Sequence, residues 1–213
     1  MIDKKRRKQI KEKVLCWLER ITSRLTQEIG KGALVANPFL SRALGLRSRE
    51  AKQFALRQRV ERSLVTSFGT LMQEVIKVLN HEARREDIDL VLKKDGRKYY
   101  VQLKSGPQGF TRPALRKTRQ SFQKLKQEEP DAVTVIAMAY GTRKQLSPIW
   151  GKEAQQAADT LLVGEEFWNF FFGKGAYQQL LKVFEEAGRE FCAKRNFAGS
   201  VYDYILEAGL SEA

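Results

Sequence analysis

Histidine is almost missing from this chain: His81 is the single one in 213 residues, which excludes a multi-histidine metal site. Cysteine is scarce as well. Cys16 and Cys192 stand far apart without a partner at metal-ligand or redox spacing, so two reduced thiols are expected rather than a disulfide or zinc site. No apolar run approaches the ~20 residues that cross a bilayer. The charged N-terminus, MIDKKRRKQIKEK, is not followed by the apolar stretch of a signal peptide. Internal repeats and low-complexity linkers are absent too. These absences point to a soluble protein of the cytoplasm.

Positive charge is what the chain has in excess. The formal net charge is +14, while 42% hydrophobic and 10% aromatic residues are ample for a packed core. The excess is uneven: residues 1–62 hold 17 Lys and Arg against 6 Asp and Glu, and residues 105–130 hold 6 against 2. Residues 131–213 are slightly acidic, with 8 against 11, and read as scaffold. A polyanion is the natural partner of such a surface, and nucleic acid is the commonest polyanion. No segment combines an apolar stripe, aromatic anchors and a basic face well enough to favour a membrane surface.

Apolar spacing predicts a helix over 3–29, stopped by Gly30 and Gly32, and a turn around Asn37-Pro38. A second helix is expected from Ser48 to Gly69, followed by another amphipathic piece over 70–79. Segments 87–94 and 98–104 read as a β-hairpin closed by Asp95-Gly96. Thr111 is placed to cap a helix over 112–128, with Pro113 in its first turn and Pro130 beyond its end. AVTVIAMAY then reads as a buried strand, TLLV as a short one, and helices are expected at 165–172, 176–194 and 200–208. The expected fold is α/β, a small mixed central sheet flanked by helices with an N-terminal helical extension, in one domain over 1–213. Within it, 1–62 is the basic helical part, 63–140 the core that holds the hairpin, and 141–213 a helical C-terminal part. Phe167, Trp168, Phe170, Phe171 and Phe172 are expected in the core or a dimer interface.

The hairpin carries the chemistry. Alternation along a strand puts Tyr99, Val101 and Leu103 on the core face and Tyr100, Gln102 and Lys104 on the other. On its partner, Ile88, Leu90 and Leu92 share one face, which leaves Asp89 and Val91 opposite. A register that sets Asp89 beside Gln102 and Lys104 gathers a carboxylate, an amide oxygen and an ammonium. Such oxygen donors suit Mg²⁺, which keeps several waters, and a neighbouring lysine can hold an attacking water. Asp87 shares the Asp89 face and is its rival. Asp95 reads as turn chemistry and His81 as a surface residue. A carboxylate where a phosphate must approach is unfavourable unless a metal intervenes.

Asp89, with Gln102 and Lys104 after it, resembles the PD-(D/E)XK nuclease motif, Gln102 standing where an acid is usual and Ile88 where proline is usual. With TSFGTLMQE, NPF, LKSG and GEEFW, the chain is similar to type II restriction endonucleases, among them those that cut interrupted sites of GGNCC type. The resemblance implies a prokaryotic, homodimeric, Mg²⁺-dependent phosphodiesterase on double-stranded DNA, with Mn²⁺ able to substitute and a companion methyltransferase in the host. Asp89 would bridge metal and scissile phosphate. Gln102, the Leu103 backbone carbonyl and Glu74 would be further metal ligands, and Lys104 would orient the nucleophilic water.

For DNA contact the segment after the hairpin is best placed, where Gln108, Thr111, Arg112, Arg116, Lys117 and Arg119 carry donors for guanine edges or phosphates. The basic run at 4–8 suits phosphate contact without sequence reading. Two other readings compete: a structure-specific or repair nuclease of the same fold, and a non-catalytic basic protein that binds nucleic acid.

Overall fold

A computed structural model describes residues 2–31, 35–80, 88–107, 109 and 111–211. The chain divides into two compact units, one made of 1–7 and 72–181 and the other of 8–71 and 182–213. The first holds the sheet and the second is helical.

The sheet has four strands in the order β1 (Leu90–Lys94), β2 (Arg97–Lys104), β3 (Val133–Met138) and β4 (Thr160–Val163). β1 and β2 are antiparallel; β2, β3 and β4 are parallel. Asp95 and Gly96 close the hairpin, both at positive φ (49° and 76°), as a two-residue turn matched to strand twist requires. The parallel step from β2 to β3 needs a crossover, supplied by α4 (Arg112–Glu128). Thr111 caps α4 by accepting the Ala114 N–H, and Leu115, Thr118, Phe122 and Leu125 make its buried stripe. That stripe meets Tyr100, Ile136 and Met138 of the sheet in one core cluster.

Between β3 and β4 lie a 3₁₀ turn at Arg143–Gln145 and α5 (Pro148–Ala157), which packs on α4, β3 and β4. Ala154 and Ala157 bring α5 into the same cluster as the α4 stripe. α6 (Glu165–Phe172) comes directly after β4. Phe167 and Trp168 are buried in the core, and Phe170 and Phe171 close edge-on around Tyr99. Asp159 ties the starts of the strands together. Its carboxylate accepts the Thr134 amide and hydroxyl, each at 2.8 Å, and the Lys126 ammonium. Burial alone would raise the Asp159 pKa; the bonds from Lys126 and Thr134 outweigh it and hold the carboxyl below its ordinary value.

In the helical unit, α1 (Lys4–Gly30) buries Ile10, Val14, Trp17, Leu18, Ile21 and Leu25 at helical spacing. Asn37 caps α2 (Pro38–Ala43) by accepting the Phe39 and Leu40 amides at 3.1 Å. Trp17 meets Phe68 of α3 (Ser48–Leu79) and donates its indole N–H to Ser67 at 3.1 Å. Phe68 in turn meets Phe184 of α7 (Ala176–Ala193). α8 (Val201–Ser211) joins by the Tyr202 hydroxyl, which donates to Glu61 at 3.1 Å.

Several details differ from the sequence reading. Asn37-Pro38 opens a helix rather than a simple turn. α3 continues through Gly69 without a break, since one glycine costs a helix about 1 kcal/mol and 32 residues of helix surround it. α5 and the 3₁₀ turn were not expected. Tyr100, assigned to the face away from the core, is 3% exposed, because α4 covers that face as the crossover demands. Ile88 packs in the cluster with Tyr100 rather than beside Leu90 and Leu92, because the chain bends at Asp89 and strand alternation stops there.

Candidate active site

The regular β1–β2 ladder ends at Leu90 opposite Val101, whereas β2 stays paired with β3 as far as Lys104 opposite Met138. The last residues of β2 therefore extend past β1, and Asp89 bends into the space beside them. Its Oδ2 accepts the Leu103 backbone N–H at 2.9 Å and a hydrogen bond from the Gln102 side-chain Nε2. Asp89, Gln102 and Lys104 are all half-buried. Lys104 lies one residue past Leu103, on the strand face of Gln102. The expected register thus brings Asp89 and Gln102 into contact, with Lys104 next along the strand.

Two glycines shape the loop beyond Lys104. Gly109 turns back by donating its N–H to the Gly106 carbonyl at 3.0 Å, and a Cβ there would sit 3.3 Å from the Lys104 Cβ. A Cβ at Gly106 would overlap the ring of Tyr140, a residue 48% exposed. The backbone pairs Ala139 N–H with Lys104 C=O at 2.8 Å and Tyr140 N–H with Ser105 C=O at 3.1 Å. Behind them Trp168 donates to the Ala139 carbonyl at 2.7 Å. Tyr140, Gly106 and Gly109 thus shape this end of β2. The Gly/Pro-rich LKSGPQG run already marks a loop with Gly106 and Gly109 in it, whereas nothing in the sequence singled out Tyr140.

Glu74 lies near the end of α3 in an ion pair with Lys77. Asp87, His81 and Gln108 lie outside the described residues. The Thr111 oxygen is used as the α4 cap acceptor, which leaves its O–H to donate. Arg112, Arg116, Lys117 and Arg119 are all placed on α4. Arg112, Arg116 and Arg119 line one cleft with α5; Lys117 does not.

Among the described residues no group of three or more His, Cys, Asp or Glu side chains forms a metal-holding cluster. The oxygen donors at this junction are the Asp89 carboxylate and, once its amide is turned about the last bond, the side-chain oxygen of Gln102, whose Nε2 now faces Asp89. That set fits a hard divalent cation that retains much of its water, as Mg²⁺ does, and not a soft one.

Residues 78–188 match the protein family described as type II restriction endonuclease, HinfI. The match covers just over half of the chain and includes the hairpin, α4, the sheet and α6. The chain belongs to this family. It is a restriction-type nuclease, and the four-stranded mixed sheet flanked by helices is a restriction-endonuclease-like fold. A comparison with curated proteins found no match. No helix among the described residues is long and apolar enough to cross a membrane.

Proposed function

We propose that this protein hydrolyses both strands of duplex DNA at a defined sequence, with Mg²⁺, from the centre formed by Asp89, Gln102 and Lys104. The observation that carries the reading is the junction at Asp89, which accepts from Gln102 and Leu103 where β2 extends past β1. Lys104, half-buried as Asp89 is, follows Leu103 on the same strand. Asp89, Gln102 and the Leu103 carbonyl would hold the metal, with Glu74 as a supporting acid. When bound, Mg²⁺ would neutralise charge on the scissile phosphate and lower the pKa of water.

The remaining chemistry belongs to the chain. The Lys104 ammonium donates to the attacking water and fixes its direction, and it stabilises the negative charge that grows on the phosphate. Water attacks phosphorus in line and gives up a proton to solvent; the P–O3′ bond breaks, and its electrons leave with the 3′ oxygen, which takes a proton from solvent. The products are a 5′-phosphate and a 3′-hydroxyl, with no covalent enzyme intermediate. Phosphates are gripped by the basic residues of α4 and by the run at 4–8. Cutting both strands at one symmetric site requires two centres, which a homodimer provides.

The test is cleavage of plasmid DNA with Mg²⁺ by the wild type, Asp89→Ala and Lys104→Ala, with the ends sequenced. Discrete fragments bearing 5′-phosphates from the wild type alone support the reading. The same ends give the recognition site, for which an interrupted G/C sequence of GGNCC type is the specific expectation. Cleavage confined to branched DNA would replace it with a structure-specific nuclease. Binding without cleavage by all three proteins would leave a basic DNA-binding protein.

A further inference from the structure

α4 and α5 enclose a cleft of about 370 Å³ whose floor includes Leu115 and Ala157, both fixed in the core cluster. Arg112, Arg116 and Arg119 rise from α4 on one side, and Glu153 and Gln156 from α5 on the other. The arginines keep i, i+4, i+7 spacing, so they form one stripe, separated along the axis by about 6 Å and about 4.5 Å. Among the described residues none of these five side chains makes a hydrogen bond or ion pair within the protein. Glu166 and Asp159, by contrast, are paired, with Arg143 and Lys126. Glu153 lines a cleft with three guanidinium groups and is paired with none.

Arg112, Arg116 and Arg119 are all exposed to solvent, so the repulsion among them is small. An anion between them removes it. A phosphate on the arginines does so, but Glu153 opposes a phosphate. In duplex DNA the group a carboxylate can accept from is an exocyclic amine, that of cytosine N4 above all, and a glutamine amide pairs with adenine N6 and N7. Glu153 and Gln156 stand at i, i+3 on one helix face, so the two address neighbouring base pairs.

We infer that the α4–α5 cleft is where this nuclease reads sequence, with Glu153 and Gln156 on base edges and Arg112, Arg116 and Arg119 on the phosphates that set their register. The inference rests on duplex DNA as the substrate, as proposed above. It assigns α5 a role in specificity and leaves the chemistry to Asp89, Gln102 and Lys104.

The experiment is selection of bound sequences from a randomised duplex library, without Mg²⁺ so that binding is read apart from cleavage. It compares the full-length wild type with Glu153→Gln, Gln156→Ala and Arg116→Ala. Glu153→Gln should lose about tenfold or more of the preference at one base pair and bind unrelated DNA more tightly than the wild type, since a carboxylate that opposes phosphate is gone. Gln156→Ala should relax a neighbouring position. Arg116→Ala should weaken all sequences alike and flatten the salt dependence by about one counterion. Unchanged preferences in both α5 variants would overturn the inference, as would an Arg116→Ala protein with wild-type affinity and salt slope. A wild type that binds all sequences equally overturns it too, while plasmid cleavage separately decides the nuclease reading. Selective binding that depends on Glu153 in a protein that never cuts DNA would support the cleft and reject the nuclease centre.

Discussion

Leu103 donates its backbone N–H to Oδ2 of Asp89 at 2.9 Å, so the carboxylate completes the hydrogen bonding of a strand whose partner has ended. This bond separates the structural part of Asp89 from its chemical part. Asparagine keeps an acceptor oxygen for the amide; alanine leaves a partly buried N–H unmet, which costs about 1–3 kcal/mol. Asp89→Asn should therefore keep the wild-type melting temperature, and Asp89→Ala should lower it by several degrees. Both should lose cleavage by about 10²–10⁴-fold, the scale of several kcal/mol of metal-borne stabilisation. Plasmid cleavage rates and thermal melts of the two variants check this. Appreciable cleavage by Asp89→Asn would remove Asp89 from the chemistry.

Gln102 bonds to the same oxygen through its Nε2, so a neutral amide now stabilises the carboxylate. Replacing it with glutamate sets two carboxylates against each other unless a cation lies between them. Gln102→Glu should melt lower than wild type in metal-free buffer and recover on addition of Mg²⁺, with half-saturation of cleavage at lower Mg²⁺ than the wild type requires. Melting and cleavage titrated with Mg²⁺ give both answers. A metal requirement identical in the two proteins would take Gln102 out of the ligand set.

Gly164 and Gly106 make a matched pair for a test of what holds the end of the sheet. A methyl group at Gly164, where φ is +55°, would overlap the backbone carbonyl of Gly141, which is main chain and not the far end of a flexible side chain. At Gly106 the obstacle is the Tyr140 ring, a side chain open enough to swing away. Gly164→Ala should thus destabilise by about 3 kcal/mol or more, and Gly106→Ala by about 1 kcal/mol. Tyr140→Ala should cancel most of the Gly106→Ala cost in a double-mutant cycle and leave that of Gly164→Ala unchanged. Equal costs for the two glycines in denaturant melts would contradict this packing.

The parts of this molecule that were readable from sequence are those in which one residue type answers one local demand. Asp95-Gly96 met the positive φ of a tight hairpin, and Thr111 with Pro113 fixed the start of α4. Alternation from the turn then carried the register as far as Asp89 and Gln102. It failed at Ile88, since a bend at Asp89 leaves no trace in apolar spacing. Tyr100 was assigned to an open face, although a helix crossing between parallel strands covers that face whatever the strand pattern. α5 was missed because the core contacts it makes among the described residues are Ala154 and Ala157, too small to make an apolar stripe, and Gly151 interrupts its pattern. Glu153 and Gln156 were missed with it. The cleft they share with Arg112, Arg116 and Arg119 depends on two segments separated by a strand, so no local pattern contains it.

Glu190 gives the helical unit a defined response to acid. It lies between Lys11 at 2.7 Å and Lys194 at 2.9 Å. The hydrogen bond from Lys11, followed by that from Lys194, brings its pKa down from 4.5 to about 2. Because the folded value is below the unfolded one, the stabilisation is complete above pH 4.5 and disappears as pH falls toward about 2. Glu190→Gln should melt below the wild type at neutral pH, with the gap between the two closing over this window. Salt should narrow the neutral-pH gap, because the three side chains are partly open to solvent. Thermal melts of both proteins from pH 7 to pH 2 measure it. Two curves that stay parallel to the acid end would show that the Lys11–Glu190–Lys194 cluster contributes nothing to acid stability.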